Sequence, residues 1–388
     1  MTQLLALVGA TIFDGARRHA GATLLIDGAT IAAITTAAPP STAEVVPLDG
    51  GLLAPGFIDL QVNGGGGALF NDDPTPDALA TIAATHRRCG VTALLPTLIT
   101  DTPAVTAAAI DAVARARITS ARRDAVPGIL GLHLEGPHLW PGRRGAHRPE
   151  LMRPLTDSDV DRLIDARARI GTLLVTIAVE QGTARQIARL AEEGICVSLG
   201  HSDASFAEAQ RAIDAGARGI THLFNAMAPL LHRAPGLVGA ALDSAQVWCG
   251  LIADGHHVDP AVLRLALRAK RGPGRMFLVS DAMSTVGATG DRFVLGGRVA
   301  TRAGGAVRLD DGTLAGADLD LASAVRFAVD HLEVPVDEAL RMASLYPATL
   351  LGERKRGRIA PGTVADLVHL DDALRVQATW VAGERYES

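Results

Sequence analysis

Cysteine is scarce in this chain: three in 388 residues, Cys89, Cys196 and Cys249, widely spaced and odd in number. That excludes a disulfide framework and a Cys-x-x-Cys metal knuckle, and a reducing, cytoplasmic setting is expected. Dense basic runs are absent apart from Arg354-Lys355-Arg356, read as a solvated loop. With a formal net charge of −5 and a pI near 6.2, no nucleic-acid footprint is expected, although a single local Arg can still bind a phosphate. No hydrophobic run has membrane-spanning length. The stretch from Met1 to Phe13 is apolar, but Asp14-Gly15 interrupts it and it carries no basic leader. It reads as a strand, without targeting or membrane meaning.

What the chain does have is a large apolar fraction, 48% against 20% charged, enough to bury a sizeable core. From Leu4 to Asp49 short β-like runs alternate with Asp14-Gly15, Asp27-Gly28 and Pro39-Pro40. Ala365 to Leu370 and Val376 to Val381 read the same way. Residues 1–54 and 354–388 are therefore expected to pair into one small β-sandwich domain. Between them, residues 55–353 alternate apolar strands with amphipathic helices. Eight strands are expected, at Gly56 to Val62, Val91 to Ile99, Gly128 to Glu135, Thr172 to Glu180, Ile195 to His201, Gly219 to Phe224, Val247 to Asp254 and Met276 to Asp281. Helices such as Pro76 to Cys89, Thr183 to Glu193, Ser205 to Asp214 and Asp259 to Lys270 supply the crossovers. The expected fold is α/β, a (β/α)8 TIM barrel, with a β-hairpin insertion near residues 292–314.

In such a barrel, side chains at the carboxyl ends of different strands converge on one face. Here those ends carry Glu135, His201, His222, Asp254-Gly255-His256-His257 and Asp281. Glu135 follows an apolar strand stopped by Gly136-Pro137, and a carboxylate there is costly to desolvate unless a cation or proton compensates it. Taken singly, each residue has an ordinary reading: a hydrogen-bonded core histidine, or a Ser/Asp cap for Ser280-Asp281. Their coincidence at several strand ends argues for a site. Two imidazoles and a carboxylate suit a catalytic divalent ion, and a further carboxylate can take a proton from the water it activates. His133 lies on the same side of its strand as Glu135 and is expected to support the site.

The runs Pro55-Gly56-Phe57-Ile58-Asp59, His133-Leu134-Glu135-Gly136-Pro137, Gly200-His201-Ser202, Thr221-His222-Leu223-Phe224-Asn225-Ala226-Met227, Ala253-Asp254-Gly255-His256-His257 and Val279-Ser280-Asp281-Ala282 together resemble the N-acetylglucosamine-6-phosphate deacetylase family of the amidohydrolase superfamily. The likeness spans nearly the whole chain. It implies hydrolysis of the acetamide of N-acetyl-D-glucosamine 6-phosphate to D-glucosamine 6-phosphate and acetate, in amino-sugar breakdown or cell-wall recycling.

Carried over position by position, the resemblance implies Glu135, His201 and His222 as ligands of one divalent ion, Zn²⁺ or alternatively Fe²⁺. Asp281 becomes general base and then general acid, and His147 the donor that polarises the carbonyl. Ala146, backbone amides at Asn225 and Ala226, and His257 would bind the sugar phosphate. Arg233 would reach in from a neighbouring subunit, implying a homodimer or a tetramer. Many amidohydrolases carry His-x-His after the first strand, which binds a second metal; here Gln61-Val62-Asn63 stands instead, so one tightly bound ion is expected. His138 stands where the family pattern calls for a bulky apolar residue. Two alternatives remain. One is the same chemistry on N-acetylgalactosamine 6-phosphate or another N-acyl sugar phosphate. The other is a catalytically silent scaffold, which would show eroded strand-end residues.

Overall fold

A computed structural model describes residues 4–117 and 125–387. Its centre is a sheet of eight parallel strands in sequential order: β1 (Phe57–Val62), β2 (Val91–Ile99), β3 (Gly131–Glu135), β4 (Thr172–Ile177), β5 (Cys196–Leu199), β6 (Gly219–Ile220), β7 (Trp248–Ile252) and β8 (Met276–Val279). The sheet closes where β8 meets β1: Asp281 N–H donates to Gln61 O at 3.0 Å, Asn63 N–H donates to Ala282 O at 2.9 Å, and Val62 bridges Ala282. This is the expected (β/α)8 barrel.

The helices begin where the sequence supplies caps. Thr156, Thr183 and Ser205 each form a reciprocal capping box, with Asp159, Gln186 and Glu208. Thr75-Pro76, Thr102-Pro103 and Asp259-Pro260 pair a capping side chain with proline in the first turn. Along β3 the alternation is clear: Leu132 and Leu134 belong to the apolar core, whereas His133 and Glu135 face inward among polar groups.

Both ends of the chain build the flanking sandwich. One sheet pairs Leu4–Val8, Thr23–Asp27, Thr30–Thr35 and Glu44–Pro47. The other joins Leu52–Pro55 and Thr11–Phe13 to Leu367–Leu370, Val376–Val381 and Glu384–Glu387. Leu7, Ile12, Leu24, Leu53, Leu367 and Trp380 pack between the sheets as a separate core.

The structure departs from expectation in two places. The stretch read as a hairpin near 292–314 is a four-stranded antiparallel sheet, Arg292–Leu295, Arg298–Ala303, Ala306–Leu309 and Leu314–Ala317. Gly296-Gly297 and Gly304-Gly305 each hold two consecutive positive φ angles, and Gly312 holds a third reversal, so the chain turns three times rather than once. Strands four to eight also end two to four residues earlier than the apolar runs suggest; β6 keeps only two residues. His201 (φ 49°), His222 (φ 29°), Phe224 (φ 79°) and Ala226 (φ 52°) sit in the left-handed region, which cannot continue a ladder. No helix among the described residues is long and apolar enough to cross a membrane.

Candidate active site

The carboxyl face of the barrel holds a cavity of about 500 Å³ bordered by Glu135, Ala146, His147, His201, His222, Asn225, Ala226, His257 and Asp281. Residues from β3, β5, β6, β7 and β8 therefore meet in one place. Four of the residues bordering the cavity, His201, His222, Ala226 and Asp281, have positive φ. Such conformations cost about 1–3 kcal/mol each and persist where surrounding structure overdetermines them, typically at functional sites.

At the centre lies Glu135, whose Oε1 is 3.1 Å from His201 Nε2 and 2.9 Å from His222 Nε2; the two imidazole nitrogens are 3.1 Å apart. Burial alone would raise the Glu135 carboxyl, but its contacts with His201 and His222 hold it well below the usual range. His201 Nδ1–H donates to Arg143 O at 2.7 Å, which leaves Nε2 as a lone pair aimed at the carboxylate and at His222. Two acceptors 3.1 Å apart repel unless a proton or cation lies between them. Tetrahedral ligands at roughly 2.0–2.1 Å from a Zn²⁺ would stand about 3.3 Å apart, close to the spacing observed. The donor set therefore fits a divalent ion.

His147 also comes near: its Nε2 is 3.9 Å from Glu135 Oε2, and ligand-type atoms of Glu135, His147 and His201 all lie within 4.8 Å of one another. Its tautomer argues for a different role. Thr100 N–H donates to His147 Nδ1 at 3.3 Å, and the Thr100 hydroxyl lies 2.9 Å from the same atom. Nδ1 is thus an acceptor and Nε2 carries the hydrogen. Burial, followed by the neighbouring His201, pushes the imidazole down to about 3, so it is a neutral N–H donor facing the cavity. Room for Thr100 comes from Gly136: at φ 96°, a Cβ there would stand 2.2 Å from Thr100 Oγ1.

Asp281 sits opposite. Burial and then the charge of Glu135 raise its carboxyl to about 6, against the opposing pull of His222, His257 and Asn63. Asn63 Nδ2–H donates to its Oδ1 at 2.7 Å and Gln61 Nε2–H to the same oxygen at 3.1 Å. Beneath the cavity His133 is held at both nitrogens, by Thr97 Oγ1 at 3.2 Å and Thr176 Oγ1 at 2.8 Å. Thr176 continues through Thr221 to Ser198 in contacts of 2.7 Å. His133 is thus part of a hydroxyl-lined floor, with burial pushing it down to about 4.

At the other end of the cavity, Asp254 Oδ2 accepts His257 Nδ1–H at 2.6 Å and so directs Nε2 away from itself. Asn225 N–H is already committed to His222 O at 3.0 Å; no backbone hydrogen bond leaves the Ala226 amide among the described residues. Of the two expected phosphate-binding amides, Ala226 is the available one. Arg233 does not reach this cavity: it is exposed on the 229–235 loop. His138 points elsewhere too, into a second cavity between strands and helices of about 510 Å³, with Nδ1–H donating to Arg153 O at 3.1 Å.

Polar patterning missed one wall entirely. Ile99, Met283, Leu295, Thr313, Leu314 and Gly316 border the cavity, so the four-stranded sheet closes one side of it. Arg298 ties this sheet to the 141–147 loop through the carbonyl of Ala146. Apolar residues on an insertion carry no chemical signature in sequence, and only the Gly-Gly turns hinted at the sheet.

A parallel barrel with a carboxylate, two imidazoles, a neutral N–H donor and a raised carboxyl at its carboxyl face is the arrangement of a metal-dependent hydrolase. Residues 52–386 match the model of the amidohydrolase family, and the chain belongs to that family. Among curated relatives, an N-acetylgalactosamine-6-phosphate deacetylase of Shewanella sp. (strain ANA-3) is 45% identical over 337 residues, 87% of this chain and 84% of that protein. The N-acetylglucosamine-6-phosphate deacetylase of Homo sapiens is 40% identical over 350 residues, 86% of this chain and 83% of that one. Among solved structures, the N-acetylglucosamine-6-phosphate deacetylase of Pasteurella multocida superposes with a TM-score of 0.93 at 37% identity, covering 99% of this chain and 100% of that one. A Mycobacterium smegmatis enzyme in complex with N-acetyl-D-glucosamine-6-phosphate gives 0.90 at 35% identity, with 100% of both chains covered.

Proposed function

We propose that this protein hydrolyses the acetamide of N-acetyl-D-glucosamine 6-phosphate to D-glucosamine 6-phosphate and acetate. The observation that carries the reading is the meeting, in one cavity, of Glu135, His201 and His222 with ligand atoms within 3.1 Å of one another, the N–H donor His147 and the carboxyl of Asp281. Glu135, His201 and His222 would hold one divalent ion, with Zn²⁺ the first candidate and Fe²⁺ the second. Bound there, such an ion acidifies the attacking water and polarises the acetamido carbonyl. Asp281 removes the water's proton and later delivers it to the leaving amine, which cannot depart as an anion. His147 Nε2–H stabilises the oxygen on which negative charge develops. The Ala226 amide and His257 Nε2 would bind the phosphate, with Ala146 and Asn225, which also border the cavity, beside the sugar.

The same reading gives Arg233 a role outside its own cavity: on an exposed loop, it would complete the phosphate site of a neighbouring subunit in a homodimer. Mixing an Arg233→Ala protein with an Asp281→Asn protein should then restore activity through hybrid dimers; no restoration would remove Arg233 from the site.

The galactosamine epimer is the second reading, favoured by the 45% identity to a relative bearing that name. Acetate release from both 6-phosphate esters and from unphosphorylated N-acetylglucosamine, compared as kcat/KM, decides among these substrates. Absence of turnover on either ester would overturn the function. The silent-scaffold alternative demanded eroded strand ends, whereas Glu135, His201, His222 and Asp281 are all in place.

A further inference from the structure

Two deeply buried polar side chains at the barrel's mouth, Gln61 and Asn63, each 2% exposed, belong neither to the ion ligands nor to the phosphate contacts, although Asn63 borders the cavity. Both lie at the end of β1. Here both donate to one atom: Asn63 Nδ2–H reaches Asp281 Oδ1 at 2.7 Å and Gln61 Nε2–H at 3.1 Å. The amide orientation is forced for Asn63, since turning it over would set its carbonyl against a carboxylate oxygen. Its Oδ1 is buried without a hydrogen-bond partner. Gln61 Nε2 also stands 3.4 Å from both oxygens of Glu135. It is a neutral donor wedged between two like-charged groups.

The backbone reinforces this placement. Asp59 accepts Gln61 N–H at 3.2 Å and Ser280 N–H at 3.3 Å, and Asp281 N–H donates to Gln61 O at 3.0 Å. The ends of β1 and β8 are thus locked in register by the residues flanking the donors and the acceptor. Among the described residues no hydrogen bond reaches Asp281 Oδ2, and Asp281 borders the cavity.

We propose that Gln61 and Asn63 are positioning residues that clamp Oδ1 of Asp281, so that Oδ2 alone faces the reacting atoms and carries the proton from water to amine. Two fixed amide dipoles offset the negative charge of Asp281 beside Glu135 and fix its orientation. The clamp rests on the deacetylase reading, because it gives Asp281 a defined task.

The test compares wild type with Asn63→Ala, Asn63→Asp and Gln61→Met, measuring kcat, KM and bound metal on N-acetylglucosamine 6-phosphate. Asn63→Ala should lose roughly 10²-fold in kcat, the scale of a misplaced reacting group, with KM within about twofold and metal content unchanged. Asn63→Asp keeps the shape but turns a donor into an acceptor, so it should lose at least as much; a space-filling role predicts near-normal activity for it. Full kcat in Asn63→Asp, or a loss confined to KM, overturns the clamp. If Asn63→Ala does not fold, Asn63→Asp and Gln61→Met carry the same decision. A crystal structure of Asn63→Ala should show the Asp281 carboxyl rotated; an unmoved carboxyl overturns the clamp as well. Wild type inactive on the ester removes the deacetylase reading and the clamp with it, whereas active wild type with fully active variants removes the clamp alone.

Discussion

His201 Nε2 and His222 Nε2 face each other at 3.1 Å across the carboxylate of Glu135. The two rings are inclined at 67° with centroids 5.0 Å apart, edge to face rather than stacked. Because the Nδ1–H of His201 is spent on Arg143 O, its other nitrogen cannot donate unless the ring is protonated.

Removing the ion is therefore expected to remove both activity and part of the stability. Chelator-treated protein should show no turnover, recover it on adding Zn²⁺, and unfold at a lower temperature. At an ion concentration of about 1,000 times Kd the stabilisation is about 4 kcal/mol. His222→Ala should lose the ion and, with it, the response of Tm to Zn²⁺. A variant that keeps a stoichiometric ion would exclude His222 as a ligand. Wild type holding two ions at full occupancy would contradict the single-ion reading of Gln61 and Asn63.

The barrel was legible because its evidence is periodic: apolar strands alternating with amphipathic helices of crossover length. Glu135, His201, His222 and Asp281 were legible because strand ends in such a barrel share one face. Strand lengths were not, since nothing in Thr221-His222-Leu223-Phe224 announces positive φ at His222 and Phe224. Those conformations are imposed by packing around the site. The apolar wall from Leu295 to Gly316 was equally silent, as Leu and Thr at a cavity look the same in sequence as Leu and Thr in a core.

Asp281 as proton carrier predicts that Asp281→Asn lowers kcat by about 10²–10⁴-fold while metal content and folding are retained. Unchanged turnover would eliminate the role.

The pH profile follows from the same group. Burial and Glu135 raise its carboxyl to about 6, and only the deprotonated form can accept a proton, so kcat should fall as pH drops through an acid limb. A bound cation favours the carboxylate, which places the limb of the loaded enzyme at or below about 6. A limb clearly above 6 would assign the profile to another group.

His147 is pushed down to about 3, so it remains a neutral donor across the working range and should contribute no limb near neutrality. His147→Ala should lower kcat by roughly 10²–10³-fold, the cost of one donor to a developing oxyanion, with a smaller effect on KM. If the loss falls mainly on metal content, His147 is a ligand instead.

Asp59 offers a test of stability rather than rate. Fully buried between Gln61 and Ser280, its carboxyl is raised to about 7 by burial, with opposing hydrogen bonds from Ser280 and Gln61 too weak to restore it. The folded state then holds this proton more tightly than the unfolded chain, whose carboxyl titrates near 3.8. Its contribution is fully present below about pH 4 and is lost as pH rises through about 7, where the fold must bury a charged group. Asp59→Asn keeps an oxygen for the two backbone N–H donors but has no such proton to lose. Denaturant titrations of both proteins from pH 4 to pH 8 should show the variant gaining on wild type as pH rises, while shared titrations, Asp281 included, largely cancel in the difference. A pH-independent difference would mean that Asp59 is ionised throughout, and that the barrel closure at β1 and β8 holds its charge without a proton.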